Sequence, residues 1–295
     1  MITVGSLNLQ KTEVSNKDYS NQELKNSRFS QARFTHCHFI GTDLSGSDLT
    51  GCHFQNCDFV GGDLTQAHLT KAVFQNCSLA YADLRYSHFA ETHFKETDFM
   101  GAVLYNSIPW NSDLTGAKNL KKQNFQDPDG PRACVLEANP LVASESYRLV
   151  KHHFHRNGLY EDASWAAYRE LTMQRKHFFK ARDPRYFPSL LMDWLSGYTE
   201  IPNRVIVSSF VMVFAFALLY HLLGAPIPLA QEADRSKNFL DSLYFSFITF
   251  TTVGYGDIVP RPDILFRGVA CLEAFSGPFM AGLYIFTLTR RYATH

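Results

Sequence analysis

The amino-acid sequence predicts a chain of mixed class: an N-terminal coil of short repeats, a helical hairpin, and a C-terminal all-α part that crosses a membrane twice. Three observations predict it. Large apolar residues return at every fifth position through the first third of the chain. Two long apolar stretches lie in the last third, and a glycine-spaced heptapeptide stands between them.

From Phe29 the positions Phe34, Phe39, Leu44, Leu49, Phe54, Phe59, Leu64, Leu69, Phe74, Leu79, Leu84, Phe89, Phe94, Phe99 and Leu104 keep one phase, sixteen in succession. Leu9, Val14, Tyr19 and Leu24 keep it upstream. On a helix, five residues advance ~500° and leave successive centres ~140° apart around the axis. On a flat strand the centres would alternate faces. A chain that turns a corner at every fifth residue places them all inside. Two residues before each centre stands a small residue, beginning with Ala32, Cys37, Thr42, Ser47, Cys52 and Cys57.

This pattern, over about residues 7–117, resembles the pentapeptide-repeat family, A(D/N)LXX in consensus. The resemblance implies a right-handed quadrilateral β-helix with four repeats to a coil. Coils stacked at the ~4.8 Å strand spacing would make a rod of roughly 20 Å. The repeat cysteines then fill the small inward slot and are neither metal nor redox ligands. The six cysteines offer no CxxC pair and no zinc spacing. His36, His38, His53, His68, His88 and His93 read as surface. Residues 27–118 carry nine Asp/Glu against six Lys/Arg, too mixed for a DNA-mimicking face. The net charge of zero gives no nucleic-acid footprint.

Pro109 reads as a break in the phase, and Asp127–Pro131 as the loop that closes a repeat domain over 1–126. Residues 140–200 then form a helical linker. Tyr147, Val150 and Phe154 mark one helix and Asn157–Gly158 stops it. Tyr160, Ala163, Ala167 and Leu171 mark a second, with Glu161–Asp162 at the positive end of its dipole. The His152–His155 cluster reads as a solvated face, not a metal site. Leu190–Tyr198 reads as an amphipathic helix at the membrane interface.

Residues 201–295 hold the membrane part. Val205–Leu223 contains no Asp, Glu, Lys or Arg, and at 1.5 Å per residue it reaches ~28 Å, about one bilayer core. The first span is expected at about 204–224 and the second at about 264–289. Only Arg267 and Glu273 interrupt the second. The N-terminus has no signal-peptide pattern. Lys176, Lys180, Arg182, Arg185 and Arg204 precede the first span, and Arg290 and Arg291 follow the second. The positive-inside rule places both termini in the cytoplasm of a cell (plasma or inner) membrane protein.

Between the spans runs Thr251-Thr252-Val253-Gly254-Tyr255-Gly256-Asp257. It resembles, at all seven positions, the selectivity filter of tetrameric potassium channels, and residues 203–291 follow their order of span, short helix, filter and span. The resemblance implies a homotetramer in the lipid bilayer, with potassium as the permeant ion and no other cofactor. The carbonyls of Thr252, Val253, Gly254 and Tyr255 would line the pore and the Thr252 hydroxyl would add the innermost ring. Aiming successive carbonyls one way needs alternating backbone handedness. Gly254 and Gly256 reach the left-handed region freely, and Val253 and Tyr255 then pack behind the filter.

The pore helix is expected over about 238–250, capped by Asn238 with Asp241 at its third position. Thr251, Asp257, Tyr244, Phe245 and Glu273 are the expected supports of the filter. Some family members set a pore-helix carboxylate against the filter aspartate; here that position is Ile248, which leaves Asp257 to Tyr244. Gly277 and Pro278 mark a gating hinge. No arginine ladder and no dinucleotide fingerprint is present. A protein or small-ligand regulator would therefore act on the N-terminal domain or through lipid. The chain shows no catalytic constellation and reads as a non-enzyme. The alternative reading is a membrane-anchored repeat scaffold with a vestigial or less selective cation pore.

Overall fold

The computed structural model describes residues 6–107, 109–126, 139–223, 226–228 and 238–292. The Asp127–Pro131 loop and Cys134 lie outside them. The chain divides into two compact units, 1–186 and 187–295.

In the first unit, the five-residue period becomes a four-sided solenoid. Strands β1 (Glu13–Ser15), β2 (Arg33–Thr35), β3 (His53–Gln55), β4 (Val73–Gln75) and β5 (His93–Lys95) form one parallel sheet. Its register pairs Val14 with Phe34, Phe54, Phe74 and Phe94 in turn, so each coil is twenty residues, or four repeats. The side chains stack along the rod: ring centroids of Phe34–Phe54, Phe54–Phe74 and Phe74–Phe94 lie 5.2, 4.9 and 5.3 Å apart.

The corners are made by left-handed backbone. One residue in each repeat, two after the centre, has φ between 52° and 66° from Lys11 to Asn111. Glycine and asparagine hold many of these corners, but Gln66, Lys71, Tyr81 and Glu91 hold others, at a cost of roughly 1–2 kcal/mol each. The ladder bonds and the buried centres offset that cost.

The small inward slot carries more than volume. Thr42 Oγ1 donates to Tyr19 O at 2.8 Å, Ser47 Oγ to Leu24 O at 3.0 Å, and Cys52 Sγ to Phe29 O at 2.8 Å. Each reaches into the coil below and satisfies a buried carbonyl. Burial pushes the Cys52 thiol up to about 12, so it stays protonated. Among the described residues no group of metal-ligating side chains forms.

Pro109 does not break the coil. It takes the next inward position and is buried, and Leu114 follows in phase. Strands β6 (Thr97–Asp98) and β7 (Ala117–Lys118) continue the ladder. Among the described residues no further coil follows Pro109 to accept the N–H that proline lacks. Asn124 then plugs the open end: its Nδ2 donates to Phe99 O at 3.0 Å and to Ala102 O at 2.7 Å.

Helices α1 (Pro140–Arg156) and α2 (Tyr160–Lys180) form the hairpin, with Gly158 left-handed at the turn. Val150, Phe154, Ala163 and Ala166 belong to the same apolar core as the solenoid, so the hairpin caps it. Segment 140–200, expected as one linker, is thus divided: α1 and α2 go with the repeats, while α3 (Tyr186–Ser196) lies almost wholly in the second unit. The histidine cluster is divided too. His152 and His155 are exposed, but His153 is buried and its Nδ1–H donates to Leu114 O at 2.8 Å. It is a docking residue, not part of a solvated face.

The second unit holds α3, α4 (Pro202–Leu223), α5 (Phe239–Phe250) and α6 (Ile264–Tyr292). An antiparallel pair, β8 (Pro226–Pro228) and β9 (Ile258–Pro260), joins the segments between them. Helix α3 begins four residues earlier than expected, and its Asp193 anchors Arg204 at 2.7 Å. Within the apolar windows of α4 and α6 only 28% and 17% of residues are buried in the chain. Core helices of a soluble protein would be covered; the apolar faces of these two are left uncovered by the chain itself.

Two outcomes test this account. Phe54→Ala removes a ring from the middle of the stack and is expected to cost about 3–5 kcal/mol, read as a lowered denaturant midpoint of the β-sheet circular dichroism. Burial holds the His153 ring below its ordinary value of 6.5. The unfolded ring accepts a proton below that value while the docked ring resists it. Stability is therefore full well above pH 6.5 and declines as the pH falls through and below it, with a shallower decline in His153→Gln.

Candidate ion-conduction site

The site is built at the C-terminal end of α5. Asn238 caps that helix by accepting the Leu240 N–H at 3.3 Å, and Asp241 sits in its first turn. Ser242, Phe245, Ser246 and Ile248 form its buried face. At the other end the chain leaves the helix by stages. Thr252 N donates to Thr249 O at 3.1 Å, and Val253 N and Gly254 N both donate to Ile248 O, at 2.9 and 3.2 Å. Thr251 Oγ1 reaches back to Phe247 O at 2.7 Å, and Thr252 Oγ1 donates to Thr251 O at 2.7 Å.

From there the backbone alternates. Thr252, Gly254 and Gly256 have φ of 58°, 52° and 79°, while Val253 and Tyr255 are not left-handed. A Cβ on Gly254 or Gly256 would meet nothing within 4 Å in its own chain, so conformation and not space calls for glycine there. Thr252 is the third member of the series and has no such freedom; its short hydroxyl bond to Thr251 O helps hold it. Sequence reasoning assigned the alternation to the glycines and missed the strained threonine.

Val253 and Tyr255 are 51% and 74% exposed, so nothing in the same chain covers them. Asp257 accepts from Tyr244 Oη at 2.9 Å, which fixes the outer end of the segment to α5. Phe245 faces the opposite way: it is buried, with its ring 5.0 Å from that of Tyr220 on α4.

Behind α5 lies a buried polar junction of three helices. Glu273 of α6 is fully buried and accepts from Tyr220 Oη of α4 at 2.7 Å and from Ser246 Oγ of α5. The Ser246 Oγ also lies 2.8 Å from Val213 O. An isolated carboxyl inside an apolar bundle is costly; two hydroxyl donors offset that cost and tie the helices together. Sequence reasoning placed Glu273 behind the filter but named neither partner, because neither lies near it in the chain.

Gly277 has a tighter role than its neighbours. A Cβ there would be driven into the Phe250 carbonyl at the end of α5. Its lack of a side chain lets α6 lie against the end of α5. Pro278 follows within one continuous helix, Ile264–Tyr292. The position expected as a hinge is therefore also a close-contact point.

These features define the class. Residues 208–294 match the family model described as "Ion channel", and residues 20–51, 27–66 and 47–125 match models of pentapeptide repeats. The chain thus carries a pentapeptide-repeat solenoid and, after it, a segment similar to ion-channel domains with two helices long and apolar enough to cross a membrane.

More particularly, it is 38% identical over 81 residues to "Two pore potassium channel b" of Oryza sativa subsp. japonica, covering 26% of this chain and 23% of that protein. It is 33% identical over 81 residues to "Protein LctB" of Bacillus caldotenax, covering 25% of this chain and 59% of that one. The matches thus span less than two thirds of these relatives. Among solved structures, QnrB1, "a plasmid-mediated fluoroquinolone resistance protein", is 18% identical over 41% of this chain and 76% of that one, with a TM-score of 0.31.

The Gly277 contact predicts a contrast among the glycines of α6. Gly277→Ala is expected to lower the melting temperature of the detergent-solubilised protein. Gly268→Ala and Gly282→Ala, where an added Cβ meets nothing within 4 Å, are expected to leave melting unchanged. Tyr220→Phe leaves Glu273 one donor short and is expected to cost about 1–3 kcal/mol in the same melting assay.

Proposed function

We propose that the chain is one subunit of a homotetrameric, potassium-selective channel that conducts passively across a cell membrane, with both termini on the cytoplasmic side. The observation that carries this reading is the alternation at Thr252, Gly254 and Gly256. Successive residues of alternating handedness turn their carbonyls to one side of the strand. Four such strands around an axis stack those carbonyls, with the Thr252 hydroxyl, into rings. A potassium ion that sheds its water finds replacement oxygens there. The uncovered Val253 and Tyr255 side chains support the need for neighbouring subunits, since one chain leaves them bare.

The C-terminal end of α5 adds its negative dipole end on the inner side and favours a cation there before it enters the filter. Thr251, Tyr244 and Asp257 hold the strand, and Glu273 holds α5 to both spans. Gly277 sets α6 against the end of the pore helix and Pro278 follows it; in this reading α6 bends there and gates by moving below that contact. The Arg290 side chain reaches Glu200 at 2.8 Å, and Arg204 stands in the first turn of α4, so basic groups gather at the ends expected in the cytoplasm. The repeat unit then lies in the cytoplasm as an assembly or regulatory domain.

Proteoliposomes carrying the purified protein are expected to pass potassium and exclude sodium, with current reversing near the potassium equilibrium potential. Gly254→Ala puts a Cβ on a left-handed residue and is expected to abolish that current while the oligomer survives on gel filtration. Sodium flux equal to potassium flux, or an assembly without four subunits, would overturn the reading.

A further inference from the structure

A cavity of about 850 Å³ opens in the repeat unit between the last coil and helix α1. Trp110 and Asp113 stand on the coil side; Glu145, Arg148, His152 and Arg156 stand on the helix side. Arg148, His152 and Arg156 recur at every fourth residue and share one face of α1. At 1.5 Å per residue they span ~12 Å along the cavity wall. All three are exposed, and among the described residues neither guanidinium has an ion-pair or hydrogen-bond partner.

The carboxylates of the same cavity are already engaged. Glu145 Oε2 accepts from Trp110 Nε1 at 2.6 Å. Asp113 accepts from Thr115 N at 2.9 Å and Thr115 Oγ1 at 2.6 Å, and faces His93 Nδ1 at 3.7 Å. The uncommitted charge is therefore positive. The bond to Glu145 also fixes the indole, which remains 41% exposed beside the arginines. Guanidinium forks recognise phosphate oxygens, and a fixed indole offers a flat apolar surface for a planar ring. The volume falls within the ordinary ligand-pocket range of about 300–1,000 Å³.

We propose that this cavity binds a nucleoside phosphate, with the phosphates on Arg148 and Arg156 and the base against Trp110. Such a ligand would bridge the last coil and the capping hairpin, and so deliver a signal to the domain in front of the pore. Binding at this site does not require the pore to conduct.

The test is isothermal titration of the full chain in detergent, at neutral pH and 0.15 M salt, with ATP, GTP and inorganic triphosphate as probes. Saturable binding of ATP or GTP is expected. The Arg148→Gln/Arg156→Gln double variant, altered only at exposed positions, is expected to lose ~10-fold or more in affinity while its circular dichroism is unchanged. Trp110→Ala is expected to weaken the nucleotide ~10-fold and to leave triphosphate within about 3-fold. No saturable binding of either nucleotide up to millimolar concentration, or full affinity in the double variant, overturns the site. Equal affinity for triphosphate and nucleotide, with Trp110→Ala silent, overturns the assignment of a base.

Discussion

Left-handed backbone set at a fixed interval is the constraint on which both halves of this chain depend. In the solenoid it comes once in five residues and turns the chain through a corner, so that every centre faces inward. In the segment after α5 it comes at every second residue, at Thr252, Gly254 and Gly256. The same unfavourable conformation thus serves two geometries. In the first it is repaid by ladder bonds and stacked rings. In the second the repayment within one chain is small: a few amide bonds to Ile248 and Thr249, a threonine hydroxyl bond, and the Tyr244–Asp257 tie. A segment so lightly held needs a rigid frame around it.

That frame is supplied at two depths. Tyr220, Ser246 and Glu273 bind the short helix to both spans through a polar junction, where directional bonds fix rotation as well as distance. Gly277 brings the second span against the carbonyl end of the same helix, where a bare backbone permits an approach that any side chain would block. The glycine-spaced strand therefore starts from a helix end whose position is set from two sides.

The sequence declares most of this architecture, and physics explains what it hides. A five-residue period excludes helix and flat strand, so the coil was legible from Phe29 onward, and the two apolar stretches were legible from length alone. Pro109 misled because a proline usually punctuates structure; here it fills an inward position of the coil and is buried. His153 misled because its neighbours are exposed, and burial of one residue in a histidine run depends on a carbonyl 39 residues away. In the filter, glycine announced two of the three left-handed residues. Thr252 gave no signal, since a residue type that dislikes a conformation cannot advertise it. The partners of Glu273 lie 53 and 27 residues distant, beyond any local pattern.

The twenty-residue register has an evolutionary consequence. Each coil bonds to the next through partners twenty positions apart, as in Arg33↔His53 and His53↔Val73. A gained or lost residue in mid-rod would throw every later centre out of the interior, and five would rotate the remainder by one side. Only duplication or deletion of a whole turn leaves all contacts in kind, lengthening or shortening the rod by one strand spacing of ~4.8 Å. The reach of this domain is therefore heritable in quanta.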